Sequence, residues 1–467
     1  MRPRADRPGV AIGTVAPAST NRIPPGPPRP APSFGHPVAT LDFWKRLVRE
    51  ALAASGPTPF FLLSAKPLAD RIAELDRALA AAGFATAGNP RPEKISCQHW
   101  LSCKTQPVAP LLRWWREQGR PIEVVSEFEL RAALAAGFTP PRILANGPAK
   151  HHWLKQLDAE LGGLALHELA VNFDSPAELA ALLPLARKWN WRCGVRLNTS
   201  EEFDPENPQF PTPFGFLPEE AVPALRKLKR ARVRVETLSF HLRTNVSSPQ
   251  IYRRALAEAA EVCRAAKFAP QVLDLGGGLP VRHVLTRGGK VYDGEFSLRA
   301  FAEMLRQAAK LFPNLREFWL ENGRFVSASG GALVVKILDV KERRGWRQLI
   351  CDGGRTLNAL TSLWEQHQLL SVPDRSGASA PTAVHGPTCM AFDQLARTPL
   401  PRALRAGDHL VWLEAGAYQI PWETRFSHGH AAVWWHDETG LHAVRARQSF
   451  ADFWGQWRTG AAEAAIA

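Results

Sequence analysis

Residues 236–280 read ETLSFHLRTNVSSPQIYRRALAEAAEVCRAAKFAPQVLDLGGGLP, and the order of patterns in this stretch decides the fold. Residues 236–241 are a short apolar run ending in a polar side chain. Ser248 stands where a helix N-cap belongs, and residues 249–267 repeat apolar side chains at helical spacing. Residues 271–275 are a second apolar run, and they end in the turn Gly276-Gly277-Gly278. Strand, helix, strand in this order implies two parallel strands joined by a crossover helix.

The same unit recurs on both sides. Residues 95–104, 121–126, 142–146, 169–174, 193–198 and 317–321 read as further strands. Residues 107–118, 128–136, 176–189 and 298–311 read as helices, with Ser126 and Ser175 at N-cap positions. Eight strands alternating with helices over residues 80–325 predict an α/β fold, a (β/α)8 TIM barrel, whose typical size is ~250 residues. Beyond residue 326 the pattern changes. Residues 332–340, 348–352, 383–389, 409–417 and 431–435 read as strands separated by turns, with one helix expected over 357–369. Residues 326–467 are therefore expected to form an all-β C-terminal domain, and residues 37–79 to add the strand 60–64 to it. Residues 1–36 crowd prolines and arginines with few large apolar side chains. Such a segment cannot bury enough surface to offset its ordering entropy and reads as a disordered tail.

Composition narrows the classes. The chain has 467 residues, 45% hydrophobic and 22% charged, which fits a globular protein. Lys plus Arg number 58 against 44 Asp plus Glu, a formal charge of +14 that raises the question of an anionic partner. The basic side chains are spread over helical stretches rather than interleaved with aromatics on one face, so a nucleic-acid-binding protein is the second alternative only. No apolar run reaches the ~18 residues of a membrane span. The six cysteines are dispersed without a CxxC pair, which argues against a disulfide framework or a zinc site and for a reduced, cytoplasmic setting. No metal is expected.

In such a barrel, function collects at the C-terminal ends of the strands. Those ends carry Lys104, Glu123, Ser126, Asn146, Arg196, His241, Gly276, Gly277, Gly278, Glu321 and Arg324. Glycines after a strand let backbone N–H groups approach a phosphate. A lysine in a crowded mouth, its pKa lowered, can bond a carbonyl carbon. A histidine ring can stack on a planar cofactor or move protons. A carboxylate facing a pyridine nitrogen keeps it protonated, and an arginine grips phosphate by charge-assisted bonds. Each has a plain structural reading when taken alone: a turn, a surface lysine, a core histidine, a local ion pair. Converging on one mouth, they have the parts of an anionic-cofactor site.

These residues resemble the fold-type III, pyridoxal-phosphate-dependent decarboxylases of ornithine, diaminopimelate and arginine, which share the barrel of alanine racemases. The resemblance covers about residues 58–435. Ser102-Cys103-Lys104-Thr105 resembles the motif whose lysine binds the cofactor aldehyde. Val124-Val125-Ser126-Glu127-Phe128-Glu129-Leu130 and Val195-Arg196-Leu197-Asn198 are similar to the motifs of the second and fifth strands. Ser239-Phe240-His241 resembles the segment whose histidine stacks on the pyridine ring. Asp274-Leu275-Gly276-Gly277-Gly278-Leu279-Pro280 is similar to the phosphate loop, and Glu321-Asn322-Gly323-Arg324 to the motif of a pyridine-nitrogen carboxylate and a phosphate arginine. His385-Gly386-Pro387-Thr388-Cys389 resembles the segment whose cysteine enters the partner subunit's site and returns a proton to the substrate carbon. Glu414-Ala415-Gly416-Ala417-Tyr418 is similar to the segment whose tyrosine touches the phosphate. Asp352-Gly353-Gly354 resembles the opening of the substrate-specificity helix.

The resemblance implies a homodimeric amino-acid decarboxylase with pyridoxal 5'-phosphate as cofactor. Lys104, His241, Glu321 and Cys389 would be catalytic. Arg196, Thr244, Gly276, Gly277, Gly278, Arg324 and Tyr418 would join in binding the cofactor. The alternative is a non-decarboxylating relative such as a racemase, but those place an arginine where Glu321 stands. The pattern departs from the family at three places. Arg243 replaces a glycine after His241, Met390 replaces the acid that follows the interface cysteine, and Leu360-Thr361 replaces an Arg-Pro pair. A methionine cannot pair with a distal ammonium. Asp352, Arg355, Trp364, Met390 and Arg425 are expected at the substrate, which would be larger or anionic, such as a conjugated amino acid. Trp364 and Trp422 read equally well as dimer-interface packing.

Overall fold

A computed structural model describes residues 35–457 apart from 56, 162 and 203–211. The expected tail therefore lies almost wholly outside the described residues. The parallel sheet contains Ser96–His99, Leu101–Ser102, Ile122–Val124, Ile143–Ala145, Ala170–Phe173, Arg192–Leu197, Val235–Phe240, Val272–Asp274 and Glu317–Leu320. The first two segments are one run broken only at Trp100. Ser96–His99 pairs with the last strand and Leu101–Ser102 with Ile122–Val124, so the eight strands close into a barrel. Each strand core is buried, as a sheet covered by crossover helices requires.

The helices start where the sequence signals them. Ser126, Ser175 and Ser248 each accept a backbone N–H from the first turn of the helix they precede, and Ser297 does the same for Leu298–Ala308. The barrel interior is a packed floor rather than a pore. Trp100, Leu144, Ala170, Val272 and Trp319, from five different strands, form one closed cluster, with the two indoles 4.5 Å apart.

The second sheet runs in the order Gln394–Pro401, Ser379–His385, Trp346–Cys351, Gly331–Arg343, Phe60–Ser64, Ala432–Asp437, Gly440–Arg445. His409–Trp412 branches from it to Leu369–Val372. Phe60–Ser64 lies between Gly331–Arg343 and Ala432–Asp437. It is buried on both faces. Phe60 and Leu62 meet Trp44, Leu47 and Val48 of the helix Val38–Ser55, and Phe61 and Leu63 join the main core. The helix Ala65–Ala81 instead sends Leu68, Ile72, Leu75 and Leu79 into the core shared with the barrel, although its residues up to 79 were assigned to the β domain from sequence.

Three expectations in the second domain change. The helix expected over 357–369 shrinks to Ala359–Leu363, because Glu365–His367 pairs with the distant Val284–Thr286 and Leu369–Val372 with His409–Trp412. The strand expected to reach Cys389 stops at His385, where Gly386 N–H turns to the Asp393 carbonyl at 3.0 Å. The strand expected to reach Ala417 stops at Trp412, and Glu414 and Tyr418 take the left-handed backbone conformation at φ 57° and 64°. Among the described residues no helix is long and apolar enough to cross a membrane, and no His/Cys/Asp/Glu group could hold a metal ion.

Candidate active site

Side chains two apart on a strand share a face. Two residues beyond the apolar floor, on the same strands, stand Ser102, Asn146, Asn172, Asp274 and Glu321, all buried. The floor thus carries a polar ring, and its members bond to one another or to neighbours. Asn172 Nδ2 donates to Asp274 Oδ2 at 2.7 Å, and Asn146 Nδ2 donates to Glu321 Oε1. Ser102 Oγ donates to Glu123 Oε2 at 2.6 Å, and Gly276 N–H to Asp274 Oδ1 at 3.0 Å. Gly194 makes room for this ring: a Cβ there would lie 2.1 Å from Asn172 Oδ1.

Three carboxyls, Glu123, Glu321 and Glu129, act on one lysine, Lys104. Burial, then the charges of Asp274 and Glu123, push Glu321 well above the usual carboxylate range; Asp274, hydrogen-bonded to it, is raised mainly by burial. The pair therefore retains a proton. Lys104 sits on the turn Cys103–Thr105 with its side chain 38% exposed, and its Nζ is 3.6 Å from Glu123 Oε1. The sequence suggested a lowered lysine pKa, and the structure reverses this. Burial pulls it down, but Glu123 and Glu321 outweigh burial and raise it. His241 is held well below its ordinary value by burial, Arg196 and Lys104, so its ring is neutral. Its Nδ1 accepts Gly277 N–H at 3.0 Å, which places the ring proton on Nε2.

Lys104, His241, Thr244, Gly277, Gly278, Glu321, Arg324 and Tyr418 line one cleft with about 450 Å³ of empty space. Gly278 has φ 102°, and a Cβ there would meet Tyr252 Oη at 2.8 Å. The Arg243 guanidinium, which could have blocked the cleft, donates to the Glu201 carbonyl at 3.0 Å instead. Tyr418 comes from the second domain. Its N–H donates to Thr105 O at 2.8 Å, one residue from Lys104, and Gln106 Nε2 donates to Gly416 O at 2.8 Å.

The other expected residues lie apart from this lining. Gly276 backs onto His241, where a Cβ would be 2.5 Å from Nδ1. Arg196 pairs with Glu202 at 2.6 Å and covers the Phe214 ring, while its Nε is buried without a hydrogen-bond partner among the described residues. Asp352 was placed at the substrate from sequence. Its carboxylate is instead taken by Thr58 Oγ1 at 2.5 Å and Lys336 N–H at 2.8 Å. Arg355 lies over the Phe392 ring at 5.0 Å, while Cys389 is exposed and Met390 and Arg425 are half-buried. Trp364 and Trp422 are 50% and 46% exposed; the Trp422 ring lies 5.5 Å from Tyr418, and the Trp364 ring 6.1 Å from Trp422. Sequence reasoning missed Asn172, Glu365 and Asp393. Asn172 was within reach of the period-two rule, since it follows the inward Ala170 by two residues. Glu365 and Asp393 depend on distant pairings that no local pattern announces.

These residues fit pyridoxal phosphate. A lysine amine, a neutral imidazole and a buried carboxyl surround one cleft, with N–H, hydroxyl and guanidinium donors in one corner. Glu123 Oε1 and Arg324 Nε are buried without a hydrogen-bond partner among the described residues. Comparison with known proteins agrees. Residues 95–328 match the pyridoxal binding domain of the pyridoxal-dependent decarboxylases. Diaminopimelate decarboxylase of Actinosynnema pretiosum is 30% identical over 328 residues, 68% of this chain and 72% of that one. The chloroplastic ornithine decarboxylase of Nicotiana glauca is 28% identical over 68% of this chain and 73% of its own. The crystal structure of diaminopimelate decarboxylase from Helicobacter pylori complexed with L-lysine superposes with a TM-score of 0.73 at 21% identity, covering 88% of this chain and 99% of that one. The chain belongs to the pyridoxal-dependent decarboxylase family, of the diaminopimelate and ornithine type.

Proposed function

We propose that the protein decarboxylates an amino acid that is larger than ornithine or carries an anionic distal group, working as a homodimer in a reducing, cytoplasmic compartment. The observation that carries the reading is the cleft itself, where Lys104, His241, Glu321 and the Gly277-Gly278 turn meet. Bound pyridoxal phosphate supplies the electron sink for the pair released when the bond from Cα to the carboxylate breaks. Lys104 Nζ would be the group that holds the cofactor through its aldehyde, and Glu123 Oε1, 3.6 Å away, would be placed to take its proton. The His241 ring, neutral and locked by Gly277, is a flat wall for the pyridine. Glu321, which with Asp274 retains a proton, would be the partner of the ring nitrogen and would keep it protonated. Thr244, Arg324, Tyr418 and the N–H groups of Gly277 and Gly278 would hold the phosphate. Cys389, exposed and outside its own chain's cleft, returns a proton to Cα in the partner's cleft.

The substrate reading is supported by how the second-domain carboxylates are used. Asp393 accepts Arg355 N–H at 2.6 Å and Thr388 Oγ1 at 2.6 Å. Glu365 is paired with Arg324, and Glu423 with Arg445. These three carboxylates are thus taken, whereas Arg355 and Arg425 bring positive charge. The loops of the two arginines are tied together, since Thr424 N–H donates to Thr356 O at 3.0 Å.

The test begins with borohydride reduction of the cofactor-loaded protein, with the label expected on Lys104. Carbon dioxide release is then assayed over ornithine, lysine, arginine, diaminopimelate and their larger acylated derivatives. Exchange of the Cα proton without carbon dioxide release would favour a racemase. Arg355→Ala and Arg425→Ala should raise KM for anionic substrates, and an unchanged KM refutes the substrate reading.

A further inference from the structure

We propose that Glu365, carried to the barrel mouth by the second domain, is a positioning residue for phosphate recognition: it holds one edge of the Arg324 guanidinium and so presents the other edge to the cofactor phosphate. The inference rests on Arg324 being a phosphate ligand, as proposed above.

Glu365 opens the strand Glu365–His367, which pairs antiparallel with Val284–Thr286 in the register Thr286 to Glu365 and Val284 to His367. That pairing sets the carboxylate beside the cleft. Glu365 Oε1 is in contact with Arg324 Nη1, and both side chains are largely buried. Glu365 Oε2 is 3.0 Å from His367 Nε2. His367 is held neutral, mainly by burial and then by Arg324, so its Nε2–H donates to the carboxylate. The carboxylate is thus fixed at both oxygens. The central carbon of the Arg324 guanidinium lies over the Tyr418 ring, 5.4 Å from its centroid.

A guanidinium is a rigid fork of five donors. With Nη1 taken by Glu365 and the Tyr418 ring against the guanidinium, its remaining freedom is small. Its Nε is buried and has no hydrogen-bond partner among the described residues. Buried donors are costly to leave unsatisfied. Arg324 lines the same cleft as Thr244, Gly277 and Gly278, so an oxyanion in that corner satisfies the remaining edge. Glu365 acts on the phosphate in two opposite ways. Its charge repels the dianion, while its grip orders the fork before the phosphate arrives. The proposal is that the second effect is the larger.

The experiment compares Glu365→Ala and Glu365→Gln in the full chain. It measures the affinity of the apoprotein for pyridoxal phosphate and for pyridoxal, which lacks the phosphate, by equilibrium dialysis. Glu365→Ala should weaken pyridoxal phosphate about tenfold, one charge-assisted contact, and leave pyridoxal unchanged. Glu365→Gln, whose amide oxygen still accepts from Nη1, should stay within about threefold of wild type. In an Arg324→Ala background, Glu365→Ala should have no further effect. Tighter binding by both Glu365 variants means that repulsion dominates and overturns the proposal. Equal weakening of pyridoxal and its phosphate also overturns it, since that marks general damage. An Arg324→Ala variant that binds the phosphate form as well as wild type refutes the phosphate role of Arg324 itself, and is distinguished from failure of the brace by that single measurement.

Discussion

Gly194→Ala is a sharp test of the polar ring. Gly194 pairs with Asn172 on one side and Thr237 on the other. An added Cβ would stand 2.1 Å from Asn172 Oδ1 and 2.8 Å from Thr237 Cβ. Neither side chain is at the free end of a long stem, so the Asn172 amide must rotate away. Overpacking of this kind costs about 1–3 kcal/mol. Asp274 then loses the 2.7 Å bond from Asn172 while keeping its other partners, and one such bond is worth about 0.5–1.5 kcal/mol. Together these come to about 1.5–4.5 kcal/mol, which at ~2.1 cal/mol/K of melting entropy per residue for a fold of this size is a fall in melting temperature of about 2–5 °C. The apoprotein is melted by circular dichroism, and cofactor affinity is measured alongside. Affinity should fall too, because Asp274 is the hydrogen-bond partner of Glu321. The double variant Gly194→Ala, Asn172→Ala removes the tighter of the two clashes, leaving the 2.8 Å approach to Thr237 Cβ, and should melt above Gly194→Ala alone, a non-additivity expected only of touching residues. If Gly194→Ala melts within about 1 °C of wild type, or if the double variant melts no higher, the ring does not have the packing described.

Other outcomes follow from particular contacts. In Gly416→Ala a Cβ would lie 2.0 Å from Ser327 O, so the Tyr418 loop should lift from the Lys104 turn and cofactor affinity should fall about tenfold. Equilibrium dialysis checks this. Asp393→Ala frees the loop that carries Cys389 from the ties at Thr388 and Arg355, so carbon dioxide release should fall while cofactor affinity holds. Glu414 is buried, and burial pushes its pKa from 4.5 up to about 7. The native state therefore keeps a proton that the unfolded chain releases, and stability declines as pH rises from about 4.5 to 7 and levels off above. At 1.36 kcal/mol per unit the loss approaches about 3 kcal/mol. Glu414→Gln should flatten the pH dependence of the melting temperature over that range; an unaltered slope means that Glu414 stays ionised.

How far the sequence could be read depends on whether a pattern is local. The barrel was legible because each strand and helix carries its own period, and because Ser126, Ser175 and Ser248 mark helix starts by a bond within their own turn. The strand-end list was legible for the same reason: once the strands are placed, Lys104, His241 and Glu321 must face the mouth. The commitments of Arg196, Arg243 and Asp352 were not legible. Their partners Glu202, Glu201 and Thr58 are chosen by how loops fold back, and no spacing encodes that choice. The lysine pKa failed for a related reason. Crowding alone argued for a lowered value, but the sign is set by Glu123 and Glu321, which come from other strands.

The mouth is a joint product of both domains. The N–H of Tyr418 and the carbonyl of Gly416 bind the turn that carries Lys104, across more than 300 residues of chain. Glu365 reaches Arg324 from the same domain. Closing such long loops costs entropy that is recovered only once both domains are folded. The cleft should therefore form last, and it should be the first feature lost when the domains separate. A barrel cut after residue 330 keeps Lys104, His241 and Glu321 but loses Tyr418 and the Glu365 brace. If it folds, it should bind pyridoxal nearly as well as the full chain and pyridoxal phosphate much more weakly. Equal losses for the two ligands would mean that the second domain supports the whole cleft rather than its phosphate corner.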